Sequence, residues 1–214
     1  MQIEQKINKS LDFLFNLIPG GLFGIISMII GLTGDFLAAV YYPGGYNIFI
    51  HQISNLGILE LSPGRIFFNI GVIICGIMAL PFNIYLGRFV KEEYGENQWI
   101  RIAVVANHIS SFSLIFVGIT LGISRVPEDI PFFLHGLFAG FCFLGASIYC
   151  AIYSCLFLKK RNKFSRNFAI FGFIVAIIEL IIIFIWHPFI EWIANFSIIS
   201  WIIIASSYTL YKRY

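Results

Sequence analysis

The chain has 214 residues, of which 59% are hydrophobic and only 12% charged, and its mean hydropathy is +0.87. A soluble domain carries about 25% charged residues to cover its surface, so the composition excludes an ordinary soluble protein. The net charge of +3 is too small for the basic face of a nucleic-acid-binding protein, and no nucleic-acid partner is expected.

Six apolar stretches are long enough to cross a bilayer. About 20 mostly apolar residues span ~30 Å of hydrocarbon as a helix, and the stretches of this length run over residues 20–42, 65–89, 100–121, 131–158, 167–186 and 191–210. Open strands would leave backbone groups unpaired in lipid, and no segment alternates like a barrel strand. The sequence therefore predicts an all-α integral membrane protein: a six-transmembrane-helix bundle that forms a single domain over residues 1–214.

The basic residues predict how this bundle is oriented. With the N-terminus inside, twelve of the fourteen Lys and Arg residues fall on the inner side, five of them between Lys159 and Arg166. Only Arg65 and Arg125 fall outside. Because basic loops stay on the cytoplasmic side, we expect a multi-pass protein of the cell membrane with both termini cytoplasmic (N-in/C-in).

The longest connection, residues 43–64, follows the first span on the predicted outer side. We call it the first loop. It is rich in apolar and aromatic residues, namely Tyr46, Ile48, Phe49 and Ile50. We expect it to lie on, or dip into, the outer surface of the bilayer.

Ionisable residues inside the spans give the strongest indication of a site. A charged side chain near the bilayer centre costs about 2.5–3.5 kcal/mol on insertion scales. Asp35 lies roughly 22 Å and Glu179 roughly 18 Å from the inner ends of their spans, at about 1.5 Å per residue. We expect both carboxyls to face the bundle interior. A protonated carboxyl bonded only to a neighbour is the structural alternative for each.

Further polar residues fall at a similar outer depth or in the first loop. With Asp35 and Glu179 they predict a ligand-binding pocket that opens to the extracytoplasmic side. These additional candidates are His51, Ser54, Asn55, Arg65, Asn69, His135, His187 and Glu191.

Several candidates have structural alternatives. Arg65 could form an interfacial ion pair with Glu60 or Asp35, and His187 and Glu191 could cap the start of the last helix. Polar residues 107–113 of the third span are interpreted as an interhelical hydrogen-bond network. Small residues at Gly31, Gly34 and Gly136–Gly140 are expected to let helices approach closely beside Asp35 and His135.

Short motifs resemble one known family. His51-Gln-Ile-Ser-Asn-Leu-Gly57, followed by Ile66-Phe67, resembles the first loop and second span of the DRAM/Frag/Sfk family of six-helix membrane proteins. The resemblance continues in His135-Gly-Leu-Phe-Ala139 and ends at Glu191-Trp192. Ser62-Pro63-Gly64 stands where that family often has Pro-Pro. A large prokaryotic family of unknown function shares the Ile-Ser-x-Leu-Gly element and the helix number.

The resemblance implies a role in lipid biology, because eukaryotic members act in GPI-lipid remodelling, phosphoinositide regulation and autophagy. The leading hypothesis is therefore a protein that handles membrane lipid. Arg65 would pair with a headgroup phosphate, and His135, Glu191 and Ser54 would offer hydrogen bonds. Membrane lipid is the expected partner, and a membrane-protein partner of unknown kind stays open.

Two other classes of function stay open. One is a membrane-embedded lipid hydrolase or acyltransferase, although no His pair has i, i+4 ligand spacing and no hydrolase or metalloprotease motif occurs. We therefore predict no metal and no cofactor, and whether the protein is an enzyme stays undecided. The other is a proton- or cation-coupled transporter that uses Asp35 and Glu179 as a relay.

Overall fold

A computed structural model describes residues 2–159 and 163–213 of the chain. Within these ranges the chain forms α-helices, one short 3-10 helix (Ile53–Gly57) and no strand. The helices are α1 Gln2–Leu17, α2 Gly20–Val40, α3 Arg65–Tyr94, α4 Gln98–Ile123, α5 Ile130–Phe157, α6 Lys163–Phe184 and α7 Pro188–Arg213. Lys160 and Arg161 of the predicted basic inner loop lie outside the described residues.

Six of these helices, α2 to α7, are long and apolar enough to cross a membrane. The predicted all-α fold with six spans is confirmed. The largest difference at a span end is in α3, which continues to Tyr94. It stops there because Gly95 adopts a φ of +79°, a conformation in which a helix does not continue. Helix α7 begins three residues before the predicted start, at Pro188, since proline is favoured in the first turn of a helix.

The six spans form a closed ring. Each span packs against the next one in the chain, and α7 returns to pack against α2. Short connections make successive spans antiparallel, so both chain termini lie at one end of the ring, here called the terminal end. The first loop lies at the opposite end, the loop end. Which end faces the cytoplasm stays a prediction.

Helix α1 was not among the predicted elements. Its sequence nevertheless has the apolar spacing of an amphipathic helix, in Ile3, Ile7, Leu11, Leu14 and Ile18. Phe15 is buried and meets the ring of Tyr85 with centroids 5.3 Å apart. Asp12 accepts a hydrogen bond of 2.7 Å from Arg88. These contacts dock α1 on the terminal end of the ring.

The first loop folds back over the loop end of the ring. Leu56 and Ile58 are completely buried there, and Tyr46 and Ile48 pack partly against the same core. Phe49, Ile50 and Leu59 are exposed, at 60%, 67% and 42%. The expectation that this loop lies on the bilayer surface is therefore wrong for the buried Leu56 and Ile58, and for the exposed residues it stays a prediction. A ring of six helices leaves an open end, and the buried side chains fill it.

Glycines bring α2 and α3 into close contact beside Asp35. A Cβ atom on Gly34 would lie 2.7 Å from the carbonyl oxygen of Phe67 and 3.1 Å from the Cα of Gly71. The stripe Gly136–Gly140 behaves differently: no described atom outside its own helix lies within 4 Å of a Cβ placed on Gly140. The expectation of close packing is confirmed for Gly34 and wrong for Gly140, because that face of α5 does not meet another backbone.

Candidate functional site

A cavity of about 120 Å³ lies inside the ring, and all six spans contribute to its wall. We call it the central cavity. Asp35 and Glu179 both line it and are only 4% and 1% exposed. The prediction that these two carboxyls face the bundle interior is confirmed. The other polar groups of the wall are Asn83, Asn107, Ser110, Ser111, Tyr149 and Asn195.

A second cavity, of about 80 Å³, lies next to the first loop. We call it the loop-side cavity. Its polar wall consists of Asp35, Ser54, His135, Glu191 and Asn195. Asp35 and Asn195 also line the central cavity, so the two cavities are neighbours with a shared wall. Together their walls include three carboxyls, from α2, α6 and α7.

Asn195 and Asp35 form the polar part of that shared wall. The side-chain amide of Asn195 donates a hydrogen bond of 3.0 Å to Asp35 Oδ2. Asn195 follows Glu191 by four residues on α7, so both side chains lie on the same face of the helix. Helix α7 thus contributes one carboxyl to the loop-side cavity and, one turn later, the amide that holds Asp35.

Glu191 joins α7 to the first loop. Its Oε2 atom accepts a hydrogen bond of 2.9 Å from the backbone N–H of Ile53, and the backbone N–H of Ser54 is a second donor. Hydrogen bonds to an ionised carboxylate are stronger than those between neutral groups. The alternative that Glu191 caps its own helix is therefore wrong. Its carboxylate instead holds the first turn of the 3-10 helix in the loop.

Two buried ionisable side chains face the cavities without a hydrogen-bond partner among the described residues. They are Glu179, through both carboxyl oxygens, and His135, through both ring nitrogens. A buried polar group left unpaired costs about 1–3 kcal/mol. A buried polar group without a hydrogen-bond partner therefore indicates a role beyond packing.

Lys and Arg side chains are missing from both cavity walls within the described part of the chain. Elsewhere in the described part of the chain, the ion pairs are Asp12–Arg88, Glu96–Lys91 and Glu96–Arg101. They all involve exposed or half-exposed side chains at the terminal end. An ionised carboxylate buried without a partner costs several kcal/mol. The geometry therefore favours Glu179 and Asp35 carboxyls that are neutralised by a proton or by a bound cation, whereas Glu191 has backbone N–H donors.

Arg65 does not reach either cavity. Its Nη1 atom donates a hydrogen bond of 3.0 Å to the carbonyl oxygen of Gly122, in the last turn of α4. The last four carbonyls of a helix lack partners within the helix, and a cation is favourable beside them. The predicted place of Arg65 in the pocket is therefore wrong, and the described ion pairs include none between Arg65 and either Glu60 or Asp35.

His187 also lies outside the cavities. Its side chain is exposed, and its Nδ1 atom accepts a hydrogen bond of 3.2 Å from the backbone N–H of Phe189. This contact supports the first turn of α7, so the capping alternative is confirmed for His187. The reason is its position in a short turn, where the nearest free N–H groups belong to the helix that follows.

Three other predicted site residues hold the first loop and line neither cavity. The amide of Asn69 donates a hydrogen bond of 2.9 Å to the carbonyl of Gly57, at the end of the 3-10 helix. Asn55 hydrogen-bonds the hydroxyl of Tyr42. The Nδ1 atom of His51 accepts from a backbone N–H four residues earlier, at 3.1 Å. Of the predicted set, the structure brings together Asp35, Ser54, His135, Glu179 and Glu191.

Tyr46 links the same loop to α7. The indole N–H of Trp192 donates a hydrogen bond of 2.9 Å to the Tyr46 hydroxyl, which donates in turn to the carbonyl of His51 at 2.9 Å. Burial raises the pKa of the Tyr46 hydroxyl, although the hydrogen bond from Trp192 opposes this rise. The hydroxyl therefore stays protonated and keeps its role as a donor.

The sequence-based reasoning missed Asn195 and Asn83 as members of the site. Asn83 donates to the carbonyl of Asn107 at 3.1 Å and to the Ser111 hydroxyl at 2.8 Å. This confirms the predicted network on the third span, and the same residues line the central cavity. A signal was present, since neutral amides within a span are also costly in lipid and tend to face a partner.

Comparison with known proteins was made for the whole chain. A family model described as "Protein of unknown function (DUF998)" matches residues 25–208. That range contains every residue that lines the two cavities. Comparisons with curated proteins and with solved structures give no match. None of the comparisons finds a relationship to the DRAM/Frag/Sfk family.

Proposed function

Because the chain belongs to the DUF998 family, whose description gives no function, we propose a function from its two cavities: passage of protons or a small cation across the membrane, which is the ion-relay part of the predicted proton- or cation-coupled transporter. One observation carries the proposal. Asp35, Glu179 and Glu191 come from three different helices, lie buried along neighbouring cavities and share them with no described Lys or Arg. Carboxyls buried inside a membrane-spanning bundle are typical of proton and cation pathways.

The energetics of burial support this reading. Keeping each carboxyl ionised and unpaired in the bundle would cost several kcal/mol of desolvation free energy. A proton or a small monovalent cation removes that penalty, and its departure restores it. Asp35 is the central group, because it lines both cavities and its only hydrogen bond from a described side chain comes from the neutral amide of Asn195.

The size of the cavities points in the same direction. At about 120 Å³ and 80 Å³, they are well below the roughly 300–1,000 Å³ of pockets that bury a drug-sized ligand. They suit protons, a small cation and a few waters. With the predicted orientation, the loop-side cavity faces the extracytoplasmic side, and the order of the relay is Glu191, Asp35, Glu179.

Lipid handling is the second candidate, and one feature favours it. A groove of about 380 Å³ runs between α2 and α3 on the outer face of the ring. Its lining is apolar apart from Thr33, whose hydroxyl donates to the carbonyl of Ile29 in its own helix. Such a groove suits an acyl chain. Arg65, the expected partner of a headgroup phosphate, bonds α4 through Nη1 and lines neither cavity, so the link to DRAM/Frag/Sfk-type lipid biology ranks second.

The enzyme hypothesis gains no such feature. Among the described residues, no group of three or more His, Cys, Asp or Glu side chains could hold a metal ion. The five predicted site residues that do come together offer carboxyls and one imidazole, but no hydroxyl or thiol paired with a base by a hydrogen bond. We therefore propose no reaction.

Ion uptake into liposomes tests the proposal. Purified protein is reconstituted with a trapped pH indicator, a potassium gradient with valinomycin makes the lumen negative, and proton uptake is recorded; a parallel series follows radioactive Na⁺. We expect uptake of one of these ions above empty liposomes, and its loss in Asp35→Asn. The matched control is Asp12→Asn, which changes an exposed carboxylate at the terminal end and should behave as wild type. Wild-type liposomes that take up neither ion faster than Asp35→Asn liposomes would overturn the proposal.

A further inference from the structure

Glu191 takes part in two structures at once. Its carboxyl group lines the loop-side cavity with Asp35 and His135. The same group accepts the backbone hydrogen bonds of Ile53 and Ser54 in the first loop. Whatever neutralises this carboxyl in the cavity therefore also acts on the loop that covers the cavity.

The two halves of the first loop are held in different ways. The second half is paired by backbone hydrogen bonds, from Leu59 N–H to the carbonyl of Ser124 at 3.2 Å and from Glu60 N–H to the carbonyl of Arg125 at 3.0 Å. These bonds do not depend on any titratable side chain. The first half, up to the end of the 3-10 helix, is held by hydrogen bonds that involve the side chains of Glu191, Trp192 and Asn69 and by the buried side chain of Leu56.

The first half of the loop starts at a pair of glycines, here called the joint. Gly44 and Gly45 have φ angles of +74° and +90°, and no described atom lies within 4 Å of a Cβ placed on either. Glycine adopts such angles without the steric cost that other residues meet. The segment between this joint and the backbone-paired second half can therefore move as a unit when its side-chain anchors weaken.

We propose that the first half of the first loop is the gate of the loop-side cavity, and that Glu191 is the residue that latches it. When Glu191 is ionised, its carboxylate holds the Ile53 and Ser54 N–H groups and the gate is closed. When a proton or a small cation neutralises the carboxylate, these bonds lose their charge assistance and become about half as strong. The gate then opens toward the loop end.

The groups around Glu191 fit this role. The titratable groups near it are Asp35 from α2, His135 and the Cys142 thiol from α5, and the Tyr46 hydroxyl from the loop. Helices α3 and α4 contribute only apolar side chains to this cavity, namely Phe68, Val72, Leu114 and Val117. The carboxyl of Asp35 favours neutralisation of Glu191 when it is itself ionised. The inference rests on the proposed function only for the identity of the neutralising ion.

Accessibility of a cysteine at position 54 tests the gate. Ser54 is 2% exposed and follows Ile53 directly, so S54C reports on the latched segment. In a background without the four native cysteines, labelling by a membrane-impermeant maleimide is measured from pH 5 to pH 8, with and without Na⁺. L59C, on the exposed and backbone-paired second half, supplies the reference rate at each pH, which corrects for thiol ionisation.

The expected results are specific to Glu191. In the wild-type background the S54C/L59C rate ratio should rise as the pH falls, or on addition of Na⁺. Glu191→Gln should raise the ratio about tenfold at pH 8 and abolish its dependence on pH and Na⁺, because a neutral amide cannot give a charge-assisted bond. Glu92→Gln, which changes an exposed carboxylate at the terminal end, should label like wild type.

Several outcomes overturn the gate. One is a wild-type ratio that does not change with pH or Na⁺; another is a Glu191→Gln ratio that equals wild type at pH 8. If Glu191→Gln does not fold, the wild-type pH and Na⁺ series decides alone. A gate that follows Glu191 in liposomes showing no ion uptake would leave this inference standing and remove the transport proposal. Ion uptake that depends on Asp35, together with labelling that does not depend on Glu191, would leave the transport proposal standing and remove the gate.

Discussion

Replacing Gly34 with alanine perturbs the contact that holds α2 against α3 beside Asp35. The added Cβ would lie 2.7 Å from the Phe67 carbonyl oxygen and 3.1 Å from the Cα of Gly71, where ordinary contacts measure 3.4–4 Å. Both neighbours are backbone atoms, so the helices must separate. Overpacking of this kind costs about 1–3 kcal/mol, and the better helix propensity of alanine returns up to about 1 kcal/mol. Because neither backbone atom can turn away, the cost lies in the upper part of this range, and we expect a net loss of about 1–2 kcal/mol.

The assay is thermal unfolding in detergent, followed by intrinsic tryptophan fluorescence. Gly140→Ala is the matched control, because it adds the same methyl group to a membrane-spanning helix where no described atom outside that helix lies within 4 Å. Gly34→Ala should lower the melting temperature, and Gly140→Ala should leave it unchanged or raise it slightly. A Gly34→Ala protein as stable as wild type, or equal losses in both variants, would refute the packing argument.

Three further predictions follow from other contacts. Arg65→Ala should lower the free energy of unfolding by about 1 kcal/mol through the lost bond to α4, and Arg65→Lys should lower it less. Copurified lipid per folded protein should stay unchanged in both variants. Lipid loss without a lower melting temperature would instead support a headgroup role. Phe15→Ala should cost about 3 kcal/mol of stability and so lower the melting temperature, whereas Phe13→Ala should not, since their side chains are 8% and 71% exposed; equal effects would contradict the docking of α1. Reporter fusions after Lys163 and Glu128 should report cytoplasmic and extracytoplasmic sides respectively, and the same side for both would refute the predicted topology.

The membrane-spanning helices and the inward direction of two carboxyls could be predicted from the sequence. Both predictions rest on a cost that holds in any bundle, namely that of polar groups in hydrocarbon. Asp35 and Glu179 had to face inward whatever their neighbours were. The same rule, applied to neutral amides, would also have found Asn195, which holds Asp35.

The partners of the polar residues at the helix ends could not be predicted in this way. Arg65 lies near the membrane surface, where an anion, a phosphate and a helix carbonyl are all suitable partners. Its contact with Gly122 depends on how α3 and α4 end beside each other. The small-residue stripe at Gly136–Gly140 misled for a similar reason, since spacing alone does not show which helix face meets a neighbour.

The protonation state of Asp35 and Glu179 at neutral pH tests the central claim most directly. Infrared difference spectra between pH 5 and pH 9 report the C=O stretch of protonated carboxylic acids, and Asp35→Asn and Glu179→Gln assign the bands. We predict that wild type in Na⁺-free buffer at pH 7 shows bands of buried protonated carboxyls, and that each variant lacks one of them. If the site takes Na⁺, adding Na⁺ to wild type displaces these protons and removes the bands. Spectra in which both carboxyls are fully ionised at pH 7, with no change on adding Na⁺, would contradict the account.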